Sequence, residues 1–432
     1  MMTYPTDLTM PTANIVAYIY KAKGGSQAEV ADILGCDIRT IERIEEGKEK
    51  YTKEQIKKIV DFYKVDRLAV GPGHYAGEDV KLLRMWRTRI SAGKLKDAEK
   101  YHDKYHLEKY DFLPFDLDLS MLYNMFLVKY YVKVDMVDDA KQILSEAEPR
   151  VEEANDENQY HYHYNKGIVF LLENEYKEAL KHFSLAYKRE YVEKKPHAHL
   201  IHYNMGLCYS NLGVCMSAIV QYEIAYTLLD REQPYYYAMI ISNNLSVNYI
   251  KSGNFVLAKK YADKTMSLAE KLQSEKHQSR ASRNMGCICI EENEFKEALE
   301  HLENSLALTE EGGIEFIDTL YYKILSLIYL GHPSAEQEIA NIKLMSKYDK
   351  HFSILFTSLS HLLTLESDDS IEYIENTTIP YLLERSDHFQ IFQYYRFLEK
   401  HYTSTDKKIK VWEVQLRYAN LYKEMMSLGG EI

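Results

Sequence analysis

Apolar positions recur along this chain with the period of an amphipathic helix, and small residues punctuate them at a much longer period. Four segments run in one phase: HYNKGIVF around Asn165, HYNMGLCY around Asn204, SNNLSVNY around Asn244 and SRNMGCIC around Asn284. Their asparagines are 39, 40 and 40 residues apart. Each segment carries a small residue (Gly167, Gly206, Ser246, Gly286), and an alanine follows twelve residues later (Ala179, Ala218, Ala258, Ala298). Small residues on two successive helices let the helices approach closely. A fixed period of this length predicts stacked helix–turn–helix pairs. In one pair, Tyr203, Met205, Gly206 and Tyr209 fall on the first helix. Asn211, Leu212 and Gly213 make the turn, and Ala218, Tyr222 and Ala225 fall on the second helix.

The phase extends both ways. Val128 with Ala140, Leu144 and Ala147 forms an earlier pair, and Trp86 with Ala98 a weaker one before it. Downstream, Ser326, Ile328 and Tyr329 precede a turn at Leu330 to Pro333. Two degenerate pairs follow, around His361 and around Phe397 with Ile409. This series resembles the tetratricopeptide repeat, with a period longer than the usual 34 residues. The resemblance implies an all-α, right-handed superhelical solenoid of about nine helix pairs over residues 79–432.

The front of the chain has another pattern. Ile15 to Lys21 reads as a helix broken at Gly24 and Gly25. Ser26 caps a second helix, with Glu29 placed for a capping box. Val30, Ala31 and Leu34 face inward, and Gly35 supplies a tight turn. A third helix from Asp37 buries Ile41 and Ile44. A fourth, Lys53 to Tyr63, carries Ile56, Ile59, Val60 and Phe62 as its stripe. Gln27, Ala31, Gly35, Ile41, Ile44, Glu45 and Gly47 match the helix-turn-helix of phage repressor and Cro-like proteins. That resemblance implies a DNA-binding domain over 10–68. Ile38, Arg39, Thr40, Glu42 and Arg43 would face the groove, and Gln27 would lie near a phosphate or base edge. Residues 69–78, AVGPGHYAGE, read as a Gly/Pro linker.

Charge qualifies this reading. Residues 13–68 hold eleven Lys/Arg and ten Asp/Glu, a net of +1, and the rest of the chain is then −13 of a total −12. Nucleic-acid contact must therefore come from this local module. Asp37, Glu42, Glu45 and Glu46 on or near the recognition helix repel phosphate. Five cysteines form no disulfide framework, the N-terminus lacks a signal-like core, and no run reaches a membrane span, so a cytoplasmic protein is expected. Thirty-eight tyrosines suit amphipathic helices with hydroxyls toward water.

The asparagines are not needed for stacking, yet they keep its register. An asparagine amide can pair both the N–H and the C=O of one residue of an extended peptide. Helices pack about 8–10 Å apart and an extended chain rises about 3.3 Å per residue. Asn165, Asn204, Asn244 and Asn284 would then hold a peptide of about five to ten residues. Tyr203 and Asn243 are expected as wall residues, and Arg280, Arg283 and Lys323 as partners for a ligand carboxylate. His161 and His163, and His197, His199 and His202, form no closed ligand set, and Cys287 and Cys289 read as core packing, so no metal is expected. There is no phosphate loop, nucleophile elbow or zinc motif, so neither a cofactor nor an enzyme is expected.

The combination resembles the RRNPP family of peptide-pheromone receptors. The resemblance implies a quorum-sensing transcription regulator that binds double-stranded DNA and a short signalling peptide, as a homodimer or tetramer. Two alternatives stand beside it. One is an inhibitor or phosphatase of a response regulator, as in the phosphatase branch of that family. The other is a repeat scaffold that binds no DNA.

Overall fold

The computed structural model describes residues 16–17, 20–21, 23–46, 48–49, 51–63, 78–91, 93–100, 117–188, 198–229, 234–344, 350–364, 367–385 and 388–427. The expected linker at 69–78 lies outside these, apart from Glu78. The described residues are helical and contain no strand. The chain divides into two compact units, Met1–Lys195 and Pro196–Ile432.

The first unit begins with the front module: α1 (Gln27–Leu34), α2 (Ile38–Glu45) and α3 (Lys53–Phe62). Ser26 Oγ accepts from the Glu29 amide at 3.3 Å, which caps α1. The other half of the expected capping box is not formed, because the Glu29 carboxylate accepts from the Tyr63 hydroxyl at 2.6 Å. A complete box occurs instead at α3, between Thr52 and Gln55. Gly35 ends α1 at φ 66°, in the left-handed region that its missing Cβ allows. Asp37 caps α2. The module's core gathers Val16, Ala17, Tyr20, Val30, Ala31, Ile41, Ile44, Tyr51 and Ile59. Phe62, expected in that core, is 52% exposed. It sits at the end of α3, where the helix passes the core's edge.

Helix pairs follow. In the first unit these include α4 (Glu78–Ser91), α5 (Leu117–Lys133) with α6 (Val137–Ala147), and α7 (Asp156–Leu172) with α8 (Tyr176–Tyr187). The second unit holds α9 (Ala198–Asn211) with α10 (Cys215–Thr227), α11 (Pro234–Lys251) with α12 (Phe255–Lys271), α13 (Glu275–Glu291) with α14 (Phe295–Ala307), and α15 (Ile314–Tyr329) with α16 (Ser334–Leu344). Next come α17 (Lys350–Leu363), α18 (Asp368–Tyr373), a π-helical turn, α19 (Ile379–Glu384), α20 (His388–Ser404) and α21 (Lys408–Ser427). The turns inside the pairs repeat one conformation. Asp135, Asn174, Gly213, Gly253, Asn293 and Gly331 all have φ between 61 and 77°. Glycine, asparagine and aspartate are the residues that tolerate it.

The small residues work as the spacing implies. A Cβ on Gly167 would meet the Phe183 ring at 2.7 Å, one on Gly206 the Tyr222 ring at 2.7 Å, and one on Gly286 Leu302 Cγ at 2.6 Å. Ser246 departs from glycine where its counterpart on the second helix is Ala262, and its hydroxyl donates to the Ala258 carbonyl at 3.0 Å. Each pair is closed by a small residue against a side chain of matching size.

Some sequence expectations change. Tyr20, Tyr123, Tyr162, Tyr222, Tyr321 and Tyr394 are fully buried rather than turned to water. Tyr321 and Tyr394 satisfy each other, hydroxyl to hydroxyl, at 3.1 Å. Ile409, read as part of the last pair's core, is 76% exposed, whereas Phe397 is buried. The last pair is laid down differently from the others. Helix α20 returns onto the first helices of earlier pairs. Arg396 and Gln393 bind the buried Glu291 carboxylate at the end of α13. Phe295, Tyr329 and Phe397 stack in a column, with centroids 4.4 and 4.5 Å apart. Burial raises the pKa of Glu291, and Arg396 and Gln393 act against that shift.

The glycine contact gives a direct test. Gly206→Ala should cost about 1–3 kcal/mol through overpacking. The combination with Tyr222→Leu should recover part of that loss, as read from urea midpoints of the two variants.

Candidate functional sites

The first candidate is the outward face of α2. Ile41 and Ile44 anchor it inward, at 0% and 1% exposure. Ile38, Arg39, Glu42 and Arg43 are then exposed and Thr40 half-buried. Glu45 locks the helix to its neighbours: it accepts from Tyr20 Oη at 2.7 Å and Gln27 Nε2 at 2.8 Å. The Gln27 amide is therefore engaged within the module. Arg43 pairs with Glu49 at 3.0 Å, both largely exposed. An ion pair open to solvent is worth little and competes poorly with a phosphate.

The second candidate is the set of first helices of the pairs. Here the structure corrects the expected geometry. Asn165, Asn204, Asn243 and Asn284 are buried, at 3–6% exposure. In the first unit, Asn165 Nδ2 donates to the Met125 carbonyl of α5 at 2.6 Å. In the second, Asn284 Nδ2 donates to Asn243 Oδ1 of α11 at 3.2 Å, and Asn243 Nδ2 contacts Asn244 Oδ1 at 3.4 Å. The Asn165 and Asn284 amides, expected to capture a peptide backbone, are turned onto the preceding first helix. They link one pair to the next, which explains why they keep the repeat's register. Asn244 alone of the four ladder asparagines is half-buried, beside the half-buried Tyr203. Burial raises the pKa of Tyr203, and a hydrogen bond with Asn244 opposes that shift.

The cations are paired as well. Arg280 donates to Glu315 from Nε at 3.1 Å, and Lys276 lies 3.7 Å from the same carboxylate. Arg283 donates to Asp318 at 2.6 Å, and Lys323 to Glu338 at 3.0 Å. Arg280 and Arg283 are one helical turn apart on α13, as are Glu315 and Asp318 on α15, so the pairs form a double rung. Burial would raise the pKa of Glu315, but Arg280 and Lys276 outweigh it and hold the carboxyl below its ordinary value. Burial likewise opposes the Arg283 charge, and Asp318 outweighs it. A ligand carboxylate at these positions has to compete with protein carboxylates already there.

The histidines are structural. His163 and His182 meet at 3.0 Å, Nδ1 to Nδ1, and burial with the neighbouring Lys166 and Lys181 lowers His182 to about 4. His161 packs edge-on to Phe126, and His199 against Tyr237. His202 contacts the Gln221 carbonyl oxygen at 2.8 Å. His197 lies outside the described residues.

Comparison with known proteins adds to this geometry. Residues 16–68 match the helix-turn-helix family model, and residues 236–311 match the tetratricopeptide repeat model. The apo form of the quorum sensor NprR from B. thuringiensis superposes with a TM-score of 0.63 at 19% identity, covering 81% of this chain and 99% of that one. NprR in complex with its cognate peptide NprX gives 0.59 at 20% identity, covering 81% and 99%. A Rap protein complexed with competence and sporulation factor gives 0.63 at 15% identity, covering 80% and 98%. These likenesses show a shared fold with NprR and Rap proteins. No curated protein matches the chain at the sequence level. The shared fold covers about four fifths of the chain, and no helix among the described residues is long and apolar enough to cross a membrane.

The asparagine geometry is testable without a ligand. Asn165→Ala removes the interhelical bond to the Met125 carbonyl and should cost about 0.5–1.5 kcal/mol of stability, measured by chemical denaturation. Wild-type stability in that variant would show that the link carries nothing.

Proposed function

We propose that this chain is a cytoplasmic quorum-sensing transcription regulator of the RRNPP type. Its helix-turn-helix module, bounded near 10–68, binds double-stranded DNA. The array, bounded near 79–432, binds a short peptide of about five to ten residues and brings chains together as a homodimer or tetramer. The observation that supports this reading is one chain in which a capped, well-cored helix-turn-helix presents Arg39 and Arg43 outward and an array of helix pairs follows it, with about four fifths of the chain sharing the NprR fold. The peptide acts by differential binding to two arrangements of the array, which changes how well two modules fit half-sites about one helical turn apart.

Recognition in the array is assigned first to the side chains that remain accessible: Asn244 and Tyr203, with Arg280, Arg283 and Lys323 available on exchange of their present partners. Asn165, Asn243 and Asn284 would reach a ligand only by giving up interhelical hydrogen bonds, and Asn204 is buried. Such an exchange couples binding to the spacing of the pairs.

A second reading is supported by the likeness to Rap proteins. It is an inhibitor or phosphatase of a response regulator. That activity would need a glutamine or an acid presented by the helices around residues 79–115. A chain lacking the helix-turn-helix that still accelerates response-regulator dephosphorylation would favour the second reading.

Two outcomes test the first reading. Arg39→Ala should abolish sequence-specific DNA binding, read by fluorescence anisotropy on a selected duplex, with peptide affinity unchanged. Asn244→Ala should weaken peptide binding by about 1–3 kcal/mol in calorimetry, with a smaller loss of stability than Asn165→Ala. Unchanged affinity in Asn244→Ala, together with unchanged affinity in Tyr203→Ala, would remove the array as the peptide site.

A further inference from the structure

One cluster of metal-ligating side chains lies outside both sites. Cys289 is near the end of α13, and Glu297 and His301 are four residues apart on α14, the second helix of the same pair. Residues at that spacing share a helix face. The turn between the helices is fixed by Asn293 in the left-handed region, at φ 63°. It sets that face opposite Cys289. The Cys289 sulfur, a Glu297 carboxylate oxygen and a His301 ring nitrogen all lie within 4.8 Å of one another.

The chemistry of this set is selective. A thiolate and an imidazole favour zinc and its transition-metal neighbours over magnesium and calcium, which take oxygen ligands. Three protein donors leave a fourth tetrahedral position for water. The sulfur is buried, at 2% exposure for Cys289, whereas the His301 and Glu297 side chains are 29% and 50% exposed. The set is thus closed at the sulfur and open at the carboxylate, which provides a route of entry. Glu292 and Glu294 add negative charge around the sulfur, and Lys259 opposes it.

We propose that Cys289, Glu297 and His301 form a binding site for a thiophilic divalent transition-metal ion, of which zinc is the fitting case. On binding, the thiol gives its proton to the buffer and the sulfur coordinates as thiolate, with no change of oxidation state. The ion ties the end of α13 to α14, two residues before Glu291, whose carboxylate holds Arg396 and Gln393 of the returning helix. Metal binding would therefore stiffen the element on which α20 rests.

The test uses the full reduced chain, stripped with a chelator and titrated with Zn2+ against a chromophoric competitor, and separately with Co2+. The expected result is one ion per chain. A near-ultraviolet sulfur-to-cobalt band should appear with Co2+, and one proton should be released per Zn2+. Cys289→Ser should remove the band. Cys289→Ser and His301→Ala should each weaken Zn2+ binding by at least the roughly tenfold that loss of a mere outer-shell partner costs. Cys287→Ser should leave binding unchanged. His301→Ala alters a partly exposed side chain, so it keeps the test sharp if Cys289→Ser does not fold. Absence of the cobalt band, or equal Zn2+ affinity in wild type and His301→Ala, would overturn the proposal.

Discussion

The contact between the two helices of each pair is the constraint on which the rest depends. Position by position, a residue without bulk on the first helix receives a larger one from the second: Gly167 and Phe183, Gly206 and Tyr222, Gly286 and Leu302. Ser246 is tolerated where the second helix offers only Ala262, and its hydroxyl then returns to a backbone carbonyl. The volumes compensate within each pair, as a close-packed interior requires. This fixes the distance between helices in a pair, and hence which side chains are left to join one pair to the next. The left-handed turn residues belong to the same constraint, because only a short, stereotyped turn delivers the second helix at that separation.

Contacts between pairs are of another kind. They include apolar packing, as of Phe295 on Tyr329, and polar, directional links: Asn165 to the Met125 carbonyl, Asn284 to Asn243, Arg280 to Glu315, Arg283 to Asp318. A buried hydrogen bond contributes modestly when formed and costs more when broken without replacement. Such links can be exchanged for equivalent links to a peptide backbone, whereas a glycine–tyrosine contact has no substitute. Scaffold and responsive elements therefore differ in chemistry: size-matched apolar contacts hold each pair, and the polar links between pairs are the exchangeable part. In the proposed regulator, a peptide that takes over some of these links changes pair-to-pair spacing and leaves each pair intact.

Much of this was legible in the sequence. Helix pairs, turns and the core of the front module follow from helical periodicity, the forty-residue repeat and the positions of small residues. The direction of the asparagines was not. Periodicity shows that Asn165, Asn204, Asn244 and Asn284 share a helix position. It does not show whether that position faces an open surface or the adjoining first helix, because the two lie a fraction of a turn apart. The same ambiguity hid the acidic partners of Arg280, Arg283 and Lys323, which lie on other helices and out of local sequence view. Phe62 and Ile409 failed for a simpler reason. Both lie near helix ends, where an apolar residue can overrun the core. The returning helix α20 was illegible because its contacts span about a hundred residues, as from Glu291 to Arg396, and no repeat encodes them.

The front module closes the argument from the electrostatic side. Its net charge is near neutral, and Glu42 shares the exposed face with Arg39 and Arg43. Glu45 accepts from Tyr20 and Gln27 inside the module, so it also serves as a brace. Affinity for DNA grows with the number of phosphates neutralised, and a module with so few uncompensated cations binds weakly alone. Joining two weak modules raises their combined affinity steeply, provided that their spacing fits the site. A regulator built this way gains most from control of spacing, and spacing is what exchangeable links between helix pairs can set. Weak single-module binding and a deformable array are thus two halves of one mechanism in the proposed function.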